Sequence, residues 1–281
     1  MRASILILFL LLLGLSACAE SDSEYQARWA RWHGQRIEAL KRPEGWLTLA
    51  GLWWLEDGEY PMGSAASNRI RFPKGPAHVG TLRVQGNAVE VEVLPGNGFP
   101  PGVGPMVEDA PYTWGTLKWF LIRRLGRVAL RLKDSANPAL LTFQDIPTYP
   151  VETRWRLRAR FERYPVPLKF ELPLGNGFKS MEECPGAVLF EIGGKSYRLD
   201  ALTEHGRPQL CVIFGDKTNG QTTYGGGRMV YVEPPGPDGS VELDFNQTMV
   251  PPCCLTPHTS CNLPPAQNVL DIPIEAGEKL R

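Results

Sequence analysis

The sequence predicts an all-β protein: two packed β-rich halves of sandwich or barrel character, preceded by one N-terminal α-helix. Three observations carry this expectation. Glycine and proline are frequent, 29 and 26 among 281 residues, as in chains that turn often. From Gly45 onward, apolar and polar residues alternate over short runs, the period of half-buried strands. Helical spacing is clear in one place, over residues 23–40. Hydrophobic residues make up 43% of the chain, enough for a substantial core.

In chain order, Met1-Arg2 supplies a positive charge, and residues 5–13 form an apolar run too short to span a bilayer as a stable helix. Leu15-Ser16-Ala17-Cys18 follows and is similar to the lipobox of bacterial lipoproteins. That likeness implies a signal peptide over residues 1–17, cleavage before Cys18, and lipidation of the Cys18 thiol with diacylglycerol and a further acyl chain such as palmitate. The protein is then held on the membrane by its lipid, since each buried CH₂ contributes about 0.8 kcal/mol. Ala19 rather than Asp follows the cysteine, which favours the outer membrane over the inner, facing the periplasm.

Residues 18–43 read as a tether and helix. Ser23 and Gln26 fit a capping box, while Tyr25, Trp29, Trp32, His33, Arg36, Ile37 and Leu40 recur at helical spacing before Pro43 ends the run. The tryptophan pair is expected to pack the helix against the body. Residues 44–165 then read as an N-terminal β-rich half. "TLRVQGNAVEVEVL" is a hairpin turning at Gly86-Asn87, and "TLKWFLIRRLGRVALRLKD" a second turning at Leu125-Gly126. "TRWRLRARF" alternates strictly, with Arg154, Arg156, Arg158 and Arg160 on one face. That ladder reads either as an anion-binding face or as a solvated face matched by carboxylates such as Glu90 and Glu92 on a neighbouring strand. A soft boundary falls at Tyr164-Pro165-Val166-Pro167, and residues 166–281 form the C-terminal half. Its strand-like runs are "VPLKFEL", "AVLFEIGGKSYRLDAL", "QLCVIF", "GRMVYVE", "VELDF" and "VLDIPIE".

Thirty basic residues balance thirty acidic ones, which argues against nucleic acid as a partner. Six cysteines are present. With Cys18 lipidated, Cys184, Cys211, Cys253, Cys254 and Cys261 remain, an odd set in a compartment that favours disulfides. The stretch "DFNQTMVPPCCLTPHTSCNLPP" holds three of them beside His258. Its residues allow a soft-metal site through Cys254, His258 and Cys261, a disulfide from Cys261 to Cys253 or Cys254, or a reactive thiol beside the imidazole. The proline-flanked, short loop opposes convergence of four ligands, so no metal centre and no cofactor is expected. GxSxG, P-loop, Rossmann, HExxH and CxxC patterns do not occur.

The motifs "EGWLTLAGLWWLEDGEYPMGS", "RLKD", "FGDKTNGQTTYGGGRMVYV", "LDFNQTMVPPCCLTPHTSCNLPPAQN" and "IEAGEK", in that order, resemble the domain of unknown function 1684 family. The resemblance runs from about Trp32 to Lys279. It implies shared roles for Arg131, Asp134, Asp216, Thr218, Tyr224, Arg228, Asp244, Asn246, Cys253, Cys261, Pro265 and Asn268. Cys254 and His258 depart from its usual pattern, so the disulfide candidates it implies are Cys253 and Cys261. The N-terminal half is also similar in rhythm to forkhead-associated domains, through "GEYPMGSAASNRIRF" and the hairpin after it. It lacks their phosphate-gripping arginine, Ser64 standing there, so only a sandwich shape is implied.

Asp216 and Asp244 each follow a predicted strand, and "DKTNGQTTYGGGR" joins two strands through a glycine-rich loop. Adjacent strand ends would place Asp216, Thr218, Tyr224, Arg228, Asp244 and Asn246 along one cleft edge. The expectation is an envelope lipoprotein that binds a small polar or anionic ligand in a C-terminal cleft, with Asn268 and Arg131 added by the resemblance. One alternative is a hydrolase using Asp216 and Asp244 as acid and base. Another is a structural or assembly protein of the envelope, whose polar groups form a buried network.

Overall fold

The computed structural model describes residues 20–124, 126–175 and 177–280. The apolar run, the lipobox and Cys18 lie outside them. Helix α1 (Asp22–Lys41) is capped by Ser21. The Ser21 hydroxyl accepts from the Glu24 backbone N–H at 3.3 Å, and the Glu24 carboxylate accepts from the Ser21 N–H at 2.8 Å. The cap expected at Ser23 and Gln26 therefore sits two residues earlier. A carboxylate in the first turn also favours the positive end of the helix dipole, which an amide does not.

Nine strands build the N-terminal sandwich: β1 (Leu49–Leu55), β2 (Gly58–Gly63), β3 (Ile70–Arg71), β4 (Gly80–Gln85), β5 (Ala88–Val93), β6 (Gly102–Pro105), β7 (Tyr112–Trp114), β8 (Leu117–Arg124) and β9 (Arg127–Asp134). One sheet has the order β1-β9-β8-β7, the other β3-β2-β4-β5-β6. Met62, Ile70, Leu82 and Val91 of the second face Trp119, Leu121, Leu130 and Leu132 of the first in one core. Trp119 is fully buried and stacks on Tyr112 with centroids 4.3 Å apart. The two-sheet shape agrees with the sandwich expected for this half. Both predicted hairpins form. Gly86 and Gly126 take positive φ of 56° and 70°, a conformation that a residue with a Cβ rarely adopts.

A short helix, α2 (Pro138–Thr142), precedes the C-terminal sheet. That sheet comprises β10 (Arg156–Pro173), β11 (Lys179–Ile192), β12 (Lys195–Thr203), β13 (Leu210–Phe214), β14 (Arg228–Val232) and β15 (Ser240–Asp244). Its order is β14-β13-β12-β11-β10-β15. It curls into a half-barrel that brings the edge strands β14 and β15 together. Val188, Leu199, Val212, Phe214, Val230, Leu243 and Phe245 fill the hollow. Residues 164–167 lie inside β10, where the register against β11 slips between Arg163 and Leu168. The sheets themselves part between Asp134 and Arg156.

Two local expectations change. "VLDIPIE" is not a strand; Val269 makes one isolated bridge with Gly215, and the segment runs on across the half-barrel. Pro273 lacks an N–H, and the carbonyls of Ile274 and Ala276 are taken by the Arg228 side chain instead of a strand. The arginine ladder does not meet Glu90 or Glu92, which belong to a different sheet. Arg156 pairs with Glu242 on β15 at 2.6 Å and with Glu20, while Glu92 holds Arg83.

Candidate functional site

The polar residues expected to line a cleft form two interior locks. The first begins where β13 ends. Asp216 starts a tight turn, and its Oδ1 accepts from the Thr218 N–H at 2.8 Å, the Thr218 hydroxyl at 2.6 Å and the Ile274 N–H at 3.2 Å. Its Oδ2 accepts from Arg228 Nη2 at 2.9 Å. Arg228 opens β14 after Gly227, whose positive φ of 86° and close approach to Pro264 exclude a side chain there. The guanidinium also donates to Ala276 O at 2.6 Å and Ile274 O at 2.7 Å. Both side chains of the pair have 0% exposure. The glycines of "GGGR" therefore serve a turn that sends Arg228 inward.

The second lock docks α1. Tyr25 Oη donates to the Asp244 carboxylate at 2.8 and 2.9 Å. Asp244 further accepts from the Asn246 N–H at 3.0 Å and from Gln247 Nε2 at 3.0 Å. Asn246 Nδ2 donates to Glu152 O at 2.9 Å, and Trp29 Nε1 donates to Asn246 O at 2.8 Å. Burial pushes the Asp244 carboxyl above the usual range, against the hydrogen bonds that favour its charged form. Further along the helix, Arg36 pairs with the fully buried Glu278 at 3.1 Å. The sequence places Tyr25 only on the packing stripe of the helix and gives Glu278 no role; a tyrosine on that buried stripe is the signal for the first.

Asn268 clips strand ends together: it donates to Asp200 O and Ile213 O at 2.8 Å and accepts from the Asp200 N–H at 2.7 Å. Thr218 is buried, and Tyr224 is half-buried beside Cys253. Asp216, Thr218 and Arg228 thus come together in one network, Asp244 and Asn246 in another, and Arg131 lies apart on β9. The five described cysteines are free thiols. Among the described residues no cluster of three His, Cys, Asp or Glu is arranged to hold a metal ion.

Space for a ligand lies beside the first lock, with Arg228 among the residues that line it. A groove of about 660 Å³ runs between the halves, within the 300–1,000 Å³ typical of small-molecule sites. Trp32 and Trp46 line it with Met229 and Tyr231, together with Arg124, Arg207, Glu182 and Glu204, of which Arg207 and Glu204 lie 3.6 Å apart. Arg124 stands on the outward face of the β1-β9-β8-β7 sheet, with Phe120 and Ile122 on the same strand. Ile122 and Ala129 on this face are buried although they lie outside the sandwich core. The sequence carried a sign of it: "LKWFLIRR" is apolar at consecutive positions, as in a strand covered on both faces.

Arg131 sits in the middle of this face, between Leu52 on β1 and Phe120 on β9's other neighbour, β8. Neighbouring cations have partners. Lys118 and Lys133 share Glu44 at 2.8 and 2.6 Å, and Arg127 lies 3.5 Å from Glu56 and 4.2 Å over the Phe178 ring. Among the described residues, Arg131 has no hydrogen-bond acceptor and no carboxylate at ion-pair distance, and its Nε is buried without a partner. Desolvation and the field of Arg124 both lower its pKa; Asp109 opposes them through space.

The family model described as "Protein of unknown function (DUF1684)" matches residues 141–279. The match covers the half-barrel, the first lock and the Asp244–Asn246 side of the second; Tyr25, Trp29 and Arg36 on α1 lie before it, as do Arg131 and Asp134. A solved structure similar to this chain is the solution NMR structure of an uncharacterized protein from Haloarcula marismortui. It is 30% identical, over 49% of this chain and 77% of that one, with a TM-score of 0.42. No curated protein matches the chain.

Proposed function

We propose that this protein, whose residues 141–279 match that family's model, is a lipid-anchored envelope protein that binds a small anionic ligand between its halves. The observation that carries the binding is the unpartnered guanidinium of Arg131. Arg131 is partly buried with its Nε fully so, and a charge partly withdrawn from water without a counter-charge carries a desolvation cost. A carboxylate or phosphate accepting two parallel N–H bonds would offset that cost, and the guanidinium fork suits both. Arg131 does not itself line the groove; Arg124, on the same sheet face, does, and acts electrostatically on Arg131. The walls supplied by Trp32, Trp46 and Met229 suit an apolar body behind the anionic head. Arg228 is in the groove wall with its guanidinium committed to Asp216 and to backbone carbonyls; Asp216, Asp244 and Asn246 support the ligand site by holding the half-barrel and helix that form one side of it.

Titration calorimetry of the full chain with carboxylates and phosphate monoesters of increasing apolar length tests this. Affinity should rise with length. Arg131→Met should weaken it about 10- to 100-fold, the equivalent of one charged hydrogen-bonding group at about 1.5–3 kcal/mol. The same variant should be as stable as the parent or more so, because an apolar side chain replaces an uncompensated charge. Binding that survives Arg131→Met removes the site. A stability loss as large as that of a broken buried pair would give Arg131 a purely structural role.

A second reading, an envelope protein whose polar groups only hold the fold, is favoured by the closed Asp216–Arg228 network; it predicts no anion binding at any length. The anchor rests on the lipobox at Cys18. Cys18→Ala should move the protein from the membrane fraction to the soluble fraction, and unchanged partition would rule the anchor out.

A further inference from the structure

Cys253 and Cys261 close the two ends of the proline-flanked loop. The Cys253 N–H donates to Cys261 Sγ at 3.2 Å, and Cys253 Sγ lies 3.8 Å from Tyr224 Oη. Both ends are held in place. Cys254 N–H donates to Pro251 O at 2.9 Å, and Leu263 N–H donates to Pro173 O at 2.9 Å across the sheet edge. Cys254 turns the other way and packs with Val250, Leu47 and Phe143. Burial raises its thiol pKa to about 12 and raises those of Cys184 and Cys211 as well. Cys253 shifts the opposite way, to about 7, because Cys261 and then Tyr224 hydrogen-bond to its sulfur. Cys261 is the donor of that pair, which raises its own value, and it forms part of the groove wall.

We propose that Cys253 and Cys261 are a reactive dithiol that takes small disulfides as substrate, Cys253 being the attacking sulfur and Cys261 the resolving one. The Cys253 thiolate attacks one sulfur of the substrate. The substrate S–S bond breaks, and its other half leaves as a thiolate that is protonated. Cys261 gives up its proton and attacks the Cys253 sulfur; a Cys253–Cys261 bond forms and the second half departs as a thiol. The protein dithiol loses two electrons and the substrate disulfide gains them. Tyr224 is a positioning residue whose hydroxyl donates to the anionic sulfur. The reaction depends on thiolate at the operating pH, which favours a thiol with its pKa close to that pH.

The test uses the full chain, reduced and then exposed at neutral pH to oxidised glutathione, with peptide mass spectrometry as the readout. The parent and Cys254→Ser should lose two hydrogens from the peptide that holds all three cysteines, with no glutathione retained. Cys261→Ser should hold one glutathionyl group on Cys253. Cys253→Ser should react at least tenfold more slowly, and Tyr224→Phe several-fold more slowly with unchanged products. Closure that requires Cys254, or trapping on Cys184 or Cys211 before Cys253, overturns the assignment. So does a parent that stays reduced while the same chain, denatured, is oxidised.

Discussion

Arg228→Ala will destabilise the protein by about 3–5 kcal/mol, the cost of removing one partner from a buried ion pair. The substitution leaves the Asp216 carboxylate at 0% exposure without its counter-charge. It also strips a donor from the carbonyls of Ile274 and Ala276, which no strand is placed to replace. The tail that closes the half-barrel would therefore loosen together with the start of β14. At about 2–4 °C per kcal/mol for a chain of this size, the thermal midpoint should fall by roughly 6–20 °C. Replacing both partners, as in Arg228→Met with Asp216→Leu, should recover much of the loss, since the desolvation cost of both charges disappears. Urea unfolding followed by tryptophan fluorescence measures each. A loss under about 1 kcal/mol for Arg228→Ala would mean the pair is solvated and the lock does not exist.

Asp244→Ala will release helix α1, at a cost of about 3 kcal/mol or more, because the donors of Tyr25, Asn246 and Gln247 lose a common acceptor. Tyr25→Phe removes one of those donors and should cost about 1.5–3 kcal/mol, as expected for a hydrogen bond to a charged group. The pH dependence has a sign that distinguishes this carboxylate from most. Its folded-state pKa is raised by burial, so between the unfolded value of about 3.9 and the folded one the folded state holds the extra proton. The stability it contributes is full below the unfolded value and is lost as pH rises through the folded one. Comparing urea midpoints of the parent and Asp244→Asn at about pH 4 and about pH 7 isolates that contribution. The parent should lose more stability than the variant on going to the higher pH. Parallel losses would mean that Asp244 titrates normally and that the helix is docked by other contacts.

Sequence-local features were legible where a residue's behaviour depends on its near neighbours. The hairpins joining β4 to β5, β8 to β9 and β11 to β12 follow from alternation interrupted by turn glycines, and the helix follows from its apolar spacing and Pro43. Even the misplaced cap was an error of two residues, because Ser21-x-x-Glu24 and Ser23-x-x-Gln26 offer the same local chemistry. The polar candidates were legible as a set but not as to purpose. Asp216 and Arg228 do meet, as do Asp244 and Asn246. What decides their role is burial beneath Ile274, Ala276 and helix α1, and those groups are far away in sequence.

By itself the sequence determined the all-β class, the single long helix, the turn positions and the identity of the charged residues, because propensity, period and turn chemistry act over a few residues. Tertiary structure alone decided which charges are neutralised. Lys133 and Arg131 are two residues apart on one strand face, yet Glu44 reaches one and, among the described residues, no carboxylate reaches the other. The family resemblance pointed to Cys253 with Cys261, and the fold supplies the reason: the backbone turn at Pro252 sends Cys253 toward Tyr224 and Cys254 into apolar packing. Desolvation and pairing are properties of the space around a group. That space is assembled from segments whose separation along the chain leaves no local trace.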